Sequence, residues 1–442
     1  MQNTEYMLHE HRKDWDKQTK KQVKEACQRL SKAIGRSTPE KIDEVTASNI
    51  CEAKDYLENT LSRMDRYKYQ KQRGNVMAGS TFGNQFKIMT WGESHGAGVG
   101  VVIDGCPSGI PLAESDIQVM LNKRKPGQSK YTTPRKEDDE VEILSGIFEG
   151  KTTGTPISMV VRNKTQRSAD YSEIARFYRP GHADYTFDEK YGFRDYRGGG
   201  RSSGRETIGR VAAGAVAVKI LATLGISICT YSKEIGGIAA SYDNFDKEQI
   251  EKNPFRMPDE KAAAQVEEYA MKQIEQGDSI GGIIECVIDG MMPGIGEPVF
   301  DKLDAKLAQA VFSIGAVKGF EIGSGFNAAR LTGTENNDAF YMNNGKVEKK
   351  TNNAGGILGG MSDGSQIVFR TAIKPTPSIS SVQDTVNKDG EDIKVSIKGR
   401  HDPMIVPRAV VVVESMAALA LVDLIFENMT SRIDNIVKFY KK

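Results

Sequence analysis

The chain has 442 residues, enough for one large domain or two or three ordinary ones. Hydrophobic residues make up 38 % and charged residues 27 %, and the basic and acidic totals, 60 and 59, nearly cancel. That balance excludes a global field for nucleic acid or an anionic membrane, and we expect no apolar run of the ~20 residues needed to span a bilayer.

The opening stretch MQNTEYMLHEHRKDWDKQ lacks the apolar core of a signal peptide, so a cytoplasmic location is expected. Cysteines at 27, 51, 106, 229 and 286 are odd in number, widely spaced and form no CxxC pair. They argue against a disulfide framework and against a zinc site. No metal site is expected.

Residues 1–76 are polar and charged, and glycine is absent before Gly35. Helices are expected over Asp16–Ile34 and Ala47–Met64, separated by GRSTPEK, with KYQKQRGN as a linker. From Met77 the texture changes, and 77–442 reads as a second domain. Short β-branched runs alternate with glycine: FKIMTW, GVVIDG, VEILSGIFEG, PISMVVRN, GGIIECVIDG, QIVFRTAI and AVVVV. These are expected as strands and hairpins. ETIGRVAAGAVAVKILATLG is small and apolar all round, the pattern of a buried helix. KAAAQVEEYAMKQIEQG and FDKLDAKLAQAVFSIG are amphipathic helices, and ESMAALALVDLIFENM is a closing apolar one. Strands and long buried helices without strict βα alternation predict an α+β fold.

Three histidines remain beyond the first segment, His95, His182 and His401, each in a glycine- or proline-rich stretch. Histidine is the side chain that most readily moves protons near neutral pH. His95 lies in Gly92-Glu93-Ser94-His95-Gly96, which contains the G-x-S-x-G pattern of a nucleophile elbow. An elbow needs a helix after the serine, whereas the glycine-rich, β-branched GAGVGVVIDG predicts a strand. A tight turn presenting His95 is the better reading. His182 follows the rigid Arg179-Pro180-Gly181 turn, where Arg179 is placed to hold an anion. Arg197, Arg201 and Arg205, with Ser202 and Ser203, converge in a glycine-rich loop before the buried helix, a recipe for binding phosphate. Lys123-Arg124-Lys125, Lys130 and Arg135 form a basic cluster that is either a solvated face or an anion site. Asp402, beside Arg400 and His401, is either a base held ionised or a salt-bridged turn.

GESHG, RPGHAD, RGGGRSSGRET, GGMSDG, KPTPSIS and GRHDP, in this order, resemble the conserved stretches of chorismate synthase. The resemblance runs from about Met77 to about Asn428. It implies a sandwich of sheets around long helices and a homotetramer. It implies the anti 1,4-elimination of phosphate from 5-enolpyruvylshikimate 3-phosphate, with reduced FMN required and no net redox change. The substrate carries a phosphate and two carboxylates, which demands a basic pocket. The hydrogen lost from carbon 6 is not acidic, which explains a cofactor that shares electron density. By resemblance His95 protonates the leaving phosphate, His182 assists flavin protonation near N1, and Asp402 relays a proton from flavin N5. Arg201, Ser202, Ser203, Gly315, Ala316, Gly359, Lys374, Pro375, Thr376, Pro377, Ser378 and Arg400 match the family's flavin contacts. Arg124, Lys130, Arg135, Arg179 and Arg205 match its anion-binding positions.

The resemblance leaves the reductant open, either NADPH used by the protein itself or an outside source. Lysine stands at 123, 125 and 130 where the family favours arginine, losing the bidentate fork. Glycine stands at 315 where asparagine or proline is frequent, and Met404 where cysteine is common. Arg12 and Asp16 have a spacing loosely suited to a helical chorismate mutase. No second basic cluster for a dicarboxylate follows, so a solvated helical hairpin with a passive or assembly role is the better reading of 1–76. Two rival readings of the main segment are a serine hydrolase using Ser94 and a non-catalytic flavin-binding protein.

Overall fold

The first sheet is set by alternation. In Lys87–Gly92, Ile88 and Thr90 are buried while Met89 and Trp91 point outward. The computed structural model describes residues 79–133, 137–164, 173–397 and 402–441. The expected N-terminal helices, the boundary at 76/77, Arg135, Arg400 and His401 lie outside these residues.

Strands β1 (Thr81–Phe82), β2 (Lys87–Gly92), β3 (Gly98–Asp104), β4 (Val141–Ile143) and β5 (Ile157–Arg162) form an antiparallel sheet in the order β1-β2-β3-β5-β4. A second antiparallel sheet contains β6 (Ser227–Ile235), β7 (Ile238–Ala239), β8 (Gly282–Asp289), β9 (Val317–Ile322) and β10 (Ile367–Ile373), in the order β9-β10-β8-β6-β7. In β10, Ile367, Phe369, Thr371 and Ile373 are buried and alternate with more exposed residues.

The longer helices are α1 (Glu114–Arg124), α2 (Asp184–Tyr191), α3 (Thr207–Thr223), α4 (Glu260–Glu275), α5 (Leu303–Phe312), α6 (Val406–Asn428) and α7 (Ile433–Tyr440). Helix α3 packs on β2, β3 and β5 of the first sheet and on α6. Helix α6 packs in turn on α1, α5 and on β6 and β8 of the second sheet. Glycines set these distances. A Cβ on Gly209 would lie 2.9 Å from the Gly100 carbonyl oxygen, and one on Gly214 would lie 2.3 Å from Ser415 Cβ. Asp423 of α6 accepts backbone N–H groups of Asn84, Gln85 and Phe86 at 2.7–2.9 Å and so ties the β1–β2 turn to the core helix. The arrangement is α+β.

One expected strand is a helix. Ala409–Val413 lies inside α6. A continuous apolar run has no period that separates a buried strand from a buried helix. Pro407 in the first turn suits a helix start, and packing between α3 and the second sheet overrides the β-propensity of four valines. The expectation of no membrane-length apolar stretch also changes. Helix α6 is long and apolar enough to cross a bilayer, but 89 % of its most apolar window is buried in the protein. It is a core helix.

Candidate active site

The GESHG turn joins β2 directly to β3, so a strand follows Ser94 and the nucleophile-elbow geometry is absent. Ser94 Oγ is buried and has no hydrogen-bond partner among the described residues, so no base activates it. Asn163, just past β5, pins the turn. Its Nδ2 donates to the carbonyls of Glu93 (3.0 Å) and Gly96 (2.8 Å). Arg205 Nε donates to Asn163 Oδ1 at 2.5 Å. The glycine-rich loop lies over the His95 ring. A Cβ on Gly198 would fall 2.6 Å from His95 Cδ2.

In the RPGHAD turn the organising group is Asp184, the first residue of α2 and 2 % exposed. Its carboxylate accepts Arg179 Nε and Nη2, both at 2.7 Å, and lies 2.9 Å from His182 Nδ1. Burial alone would favour the neutral acid. The hydrogen bonds and charges of Arg179 and His182 instead hold the carboxyl well below the usual carboxylate range. His182 Nδ1 lies between Asp184 Oδ1 (2.9 Å) and Arg179 Nη2 (3.0 Å), so its tautomer decides whether it donates to the carboxylate or accepts from the guanidinium, and either bond fixes the ring with Nε2 left over. Arg179 is therefore committed to Asp184 rather than open to an anion. Arg194 braces the same loop through Asp188 (2.5 Å) and the carbonyls of Ile174 and Phe177.

The three arginines of the glycine-rich loop do not converge. Arg197 pairs with Asp195 at 2.7 Å. Arg201 turns back to β2, donating to Thr90 Oγ1 (2.7 Å) and the Thr90 carbonyl (3.0 Å). Arg205 meets Glu137, Asp139 (3.0 Å) and Asn163. Ser202 Oγ donates to the Gly199 carbonyl, and Ser203 Oγ accepts from Arg205 N.

The basic cluster likewise splits. Arg124, the last residue of α1, is 2 % exposed and pairs with buried Asp139. Burial lowers the affinity of Arg124 for its proton, and Asp139 offsets this. Asp139 is held below its ordinary value by Arg124 and Arg205, against its own desolvation. Lys123 pairs with Glu251 at 2.6 Å, and Lys130 is two-thirds exposed beside Glu267 at 3.4 Å.

Part of the remaining expected set comes together around Lys374. Lys374 Nζ donates to the Gly181 carbonyl at 2.7 Å, and Lys374 N donates to the Ala316 carbonyl at 2.9 Å. Burial, then Lys318, lowers the Lys374 pKa. Pro377 abuts Gly181, whose φ of +66° places the turn in glycine's territory. Gly315 lies 4.0 Å (ideal Cβ) from the Ser202 carbonyl oxygen. Ala316 has φ +74°, a conformation that is costly for a residue with a Cβ and tends to mark functional sites. Thr376 Oγ1 is buried with no hydrogen-bond partner among the described residues, while Ser378 is buried beside it in sequence. Pro375 belongs to the same segment, and Gly359 sits in the turn between the short strands Ile357–Leu358 and Met361–Ser362. Asp402 is 9 % exposed and accepts from Arg408 Nη1 at 2.5 Å. Desolvation raises its pKa in spite of Arg408.

Asn163, Asp139, Asp184, Arg194, Gly198 and Arg408 were not singled out as site residues from the sequence. Asp184 and Gly198 stand inside the motifs already read. The others stand outside those motifs. Asn163 and Asp139 meet partners 15 to 70 residues away, while Arg194 and Arg408 each have a carboxylate six residues off as well as distant carbonyls.

Fold and site features fit an enzyme: an α+β protein whose turns carry His95 beneath the glycine-rich loop and His182 on a buried Arg179–Asp184 pair. The family model for chorismate synthase matches residues 86–426. Chorismate synthase of Lachnospira eligens is 72 % identical over 366 residues, covering 83 % of this chain and all of the relative. That of Methanococcoides burtonii is 58 % identical over 350 residues, covering 78 % and 96 %. A crystal structure of a chorismate synthase superposes with a TM-score of 0.63 at 31 % identity, over 81 % of this chain and 97 % of that one. The chain belongs to the chorismate synthase family. It is a lyase of aromatic biosynthesis.

Proposed function

We propose that the chain converts 5-enolpyruvylshikimate 3-phosphate to chorismate and phosphate by anti 1,4-elimination, with reduced FMN held beside His182 and the Lys374–Ser378 segment. The observation that carries the cofactor reading is the junction at Lys374, which ties the Gly181 turn to Ala316. The buried hydroxyls of Ser94 and Thr376, without partners among the described residues, fit a polar ligand. Arg201, Ser202, Ser203, Gly315, Ala316, Gly359 and Lys374 to Ser378, with Arg400, are the residues we assign to hold the flavin. When bound, reduced FMN supplies the electron density that the departure of phosphate and the unacidic hydrogen require.

The chain's own groups handle protons and charge. His95 gives a proton to the departing phosphate. His182, oriented by Asp184, steadies the protonation state of the flavin. Asp402 would accept and relay a proton from the flavin's N5. Arg124, Lys130, Arg135, Arg179 and Arg205 form the basic surround. Arg124, Arg179 and Arg205 already neutralise Asp139, Glu137 and Asp184, so their first work is to build the pocket wall.

The family's sandwich of two sheets is supported by the packing of α3 and α6. A homotetramer is supported by large exposed apolar side chains such as Phe300, Phe326 and Phe193. A cytoplasmic setting is supported by the free thiols of Cys106, Cys229 and Cys286. Residues 77–442 are the catalytic domain in this reading.

The test is anaerobic turnover with chemically reduced FMN, following chorismate and phosphate together. Equal release of both, lost in His95→Ala, is expected. A second arm with NADPH and oxidised FMN decides whether the protein reduces its own flavin. Tight FMN binding without product, surviving His95→Ala and His182→Ala, would favour the non-catalytic reading.

A further inference from the structure

Arg408 stands in the first turn of α6, six residues beyond Asp402. Its guanidinium has two partners on different elements. Nε donates to the Arg124 carbonyl at the end of α1 (2.9 Å), and Nη1 donates to Asp402 (2.5 Å). The Arg408 side chain is 19 % exposed and that of Asp402 10 %, so water screens the pair weakly. The helix start fixes the Arg408 backbone, and the Arg124 carbonyl fixes the plane of its fork. The guanidinium can then meet the carboxylate in only a narrow range of geometries.

We propose that Arg408 is a positioning residue for Asp402, keeping that carboxylate anionic and aimed so that it can receive a proton. The inference rests on the reading of Asp402 as the proton acceptor. Among the described residues, the groups facing Asp402 are few. Arg408 comes from α6, the backbone N–H groups of Thr133 and Met404 lower the Asp402 pKa from the flanking loops, and Oδ1 of Asp402 has no hydrogen-bond partner among the described residues. Arg124 of α1 is the next cation, near enough to repel the Arg408 charge, and it is neutralised by Asp139. Without Arg408, Asp402 would keep its desolvation and lose its only described cationic partner. It would then bind its proton more tightly and at higher pH. A purely structural role, clasping α6 to α1 through the Arg124 carbonyl, predicts a different outcome.

The experiment is carried out on the full chain with carboxyl-13C aspartate. The Asp402 resonance is assigned by its loss in Asp402→Asn and titrated in wild type, Arg408→Gln and Arg408→Lys. The expected result is a midpoint raised by about one pH unit or more in Arg408→Gln, with partial return in Arg408→Lys. Turnover is measured in parallel, with its pH dependence. Its acid limb should move up with the midpoint, and Arg408→Gln should cost little when added to Asp402→Asn. An unmoved midpoint would overturn the proposal, as would additive losses in the double variant. If wild type made no chorismate, the functional reading would fail, and the titration would still decide whether Arg408 controls Asp402.

Discussion

Gly198 lies against the His95 ring: a Cβ on Gly198 would fall 2.6 Å from His95 Cδ2 and 2.9 Å from Nε2. The ring is held between the pinned GESHG turn and the glycine-rich loop. Gly198→Ala must therefore push the imidazole aside by a large fraction of an ångström. Displacement on that scale costs on the order of 10²-fold in rate. Gly198 also has φ +158°, which favours glycine, so a stability loss of about 1–3 kcal/mol should accompany the loss of rate. Wild-type kcat in Gly198→Ala, with an unchanged melting temperature, would show that the ring position is not critical.

Asp184 orients His182 and absorbs the charge of Arg179, with Arg194 near by. Asp184→Asn should lower kcat and destabilise the protein by about 3–5 kcal/mol at neutral pH, since it leaves the buried Arg179 guanidinium without its carboxylate. The sign with pH follows from its lowered pKa. The contribution of Asp184 is full above its unfolded value of about 4 and is lost as pH falls below that. The stability gap between wild type and Asp184→Asn should thus be widest near neutrality and shrink in acid. Urea titrations from pH 3 to 7 test this (roughly the span over which carboxylates titrate). A gap that grew in acid would contradict it.

The motifs were legible because each is short and local. GESHG, RPGHAD and RGGGRSSGRET are turns whose glycines and prolines announce themselves, and the structure places His95, His182 and the arginines on those turns. What the arginines do there was not legible. Arg124, Arg179 and Arg205 read as free cations in sequence, whereas each meets a carboxylate supplied by the fold. Only Asp184 was close enough in sequence to suggest its partner. The helix at Ala409–Val413 shows the same limit from the other side. Four valines prefer a strand until two layers close around them.

Asp139 joins Arg124 to Arg205 with its side chain fully buried. Asp139→Asn keeps the shape and removes the charge, so two buried guanidinium groups repel each other. A loss of about 3–5 kcal/mol is expected, as for other broken buried pairs. Added phosphate should recover part of it by supplying the missing negative charge. Thermal melts in phosphate and in chloride at equal ionic strength separate this from simple misfolding. If phosphate gives no gain, Arg124 and Arg205 are walled off from the anion site.

Gly214 and Ser415 mark the closest approach of the two core helices. Gly214→Val would drive three extra carbons into Ser415 of α6, where Ser415 Oγ already donates to the Val411 carbonyl at 2.7 Å. The helices cannot separate without opening contacts to both sheets. Overpacking of a tight core costs about 1–3 kcal/mol, and a backbone-level clash belongs at the upper end. Flavin affinity of the folded fraction should be unaffected, because α3 and α6 meet here away from the turns. A variant as stable as wild type would mean that the helix pair is not tightly packed.

The last prediction concerns the residues before Gly79. The Lachnospira eligens relative aligns over its whole length with 366 residues of this chain at 72 % identity. The family match begins at residue 86, so the first 78 residues lie outside it. We expect a chain beginning near Met77 to keep its kcat and KM, whatever the extension does for assembly. Sedimentation of the two forms at equal concentration reads assembly, and the anaerobic assay reads turnover. If assembly survived the deletion while turnover vanished, the extension would have to contribute directly to the site. Its Arg12 and Asp16 would then be the first residues to replace.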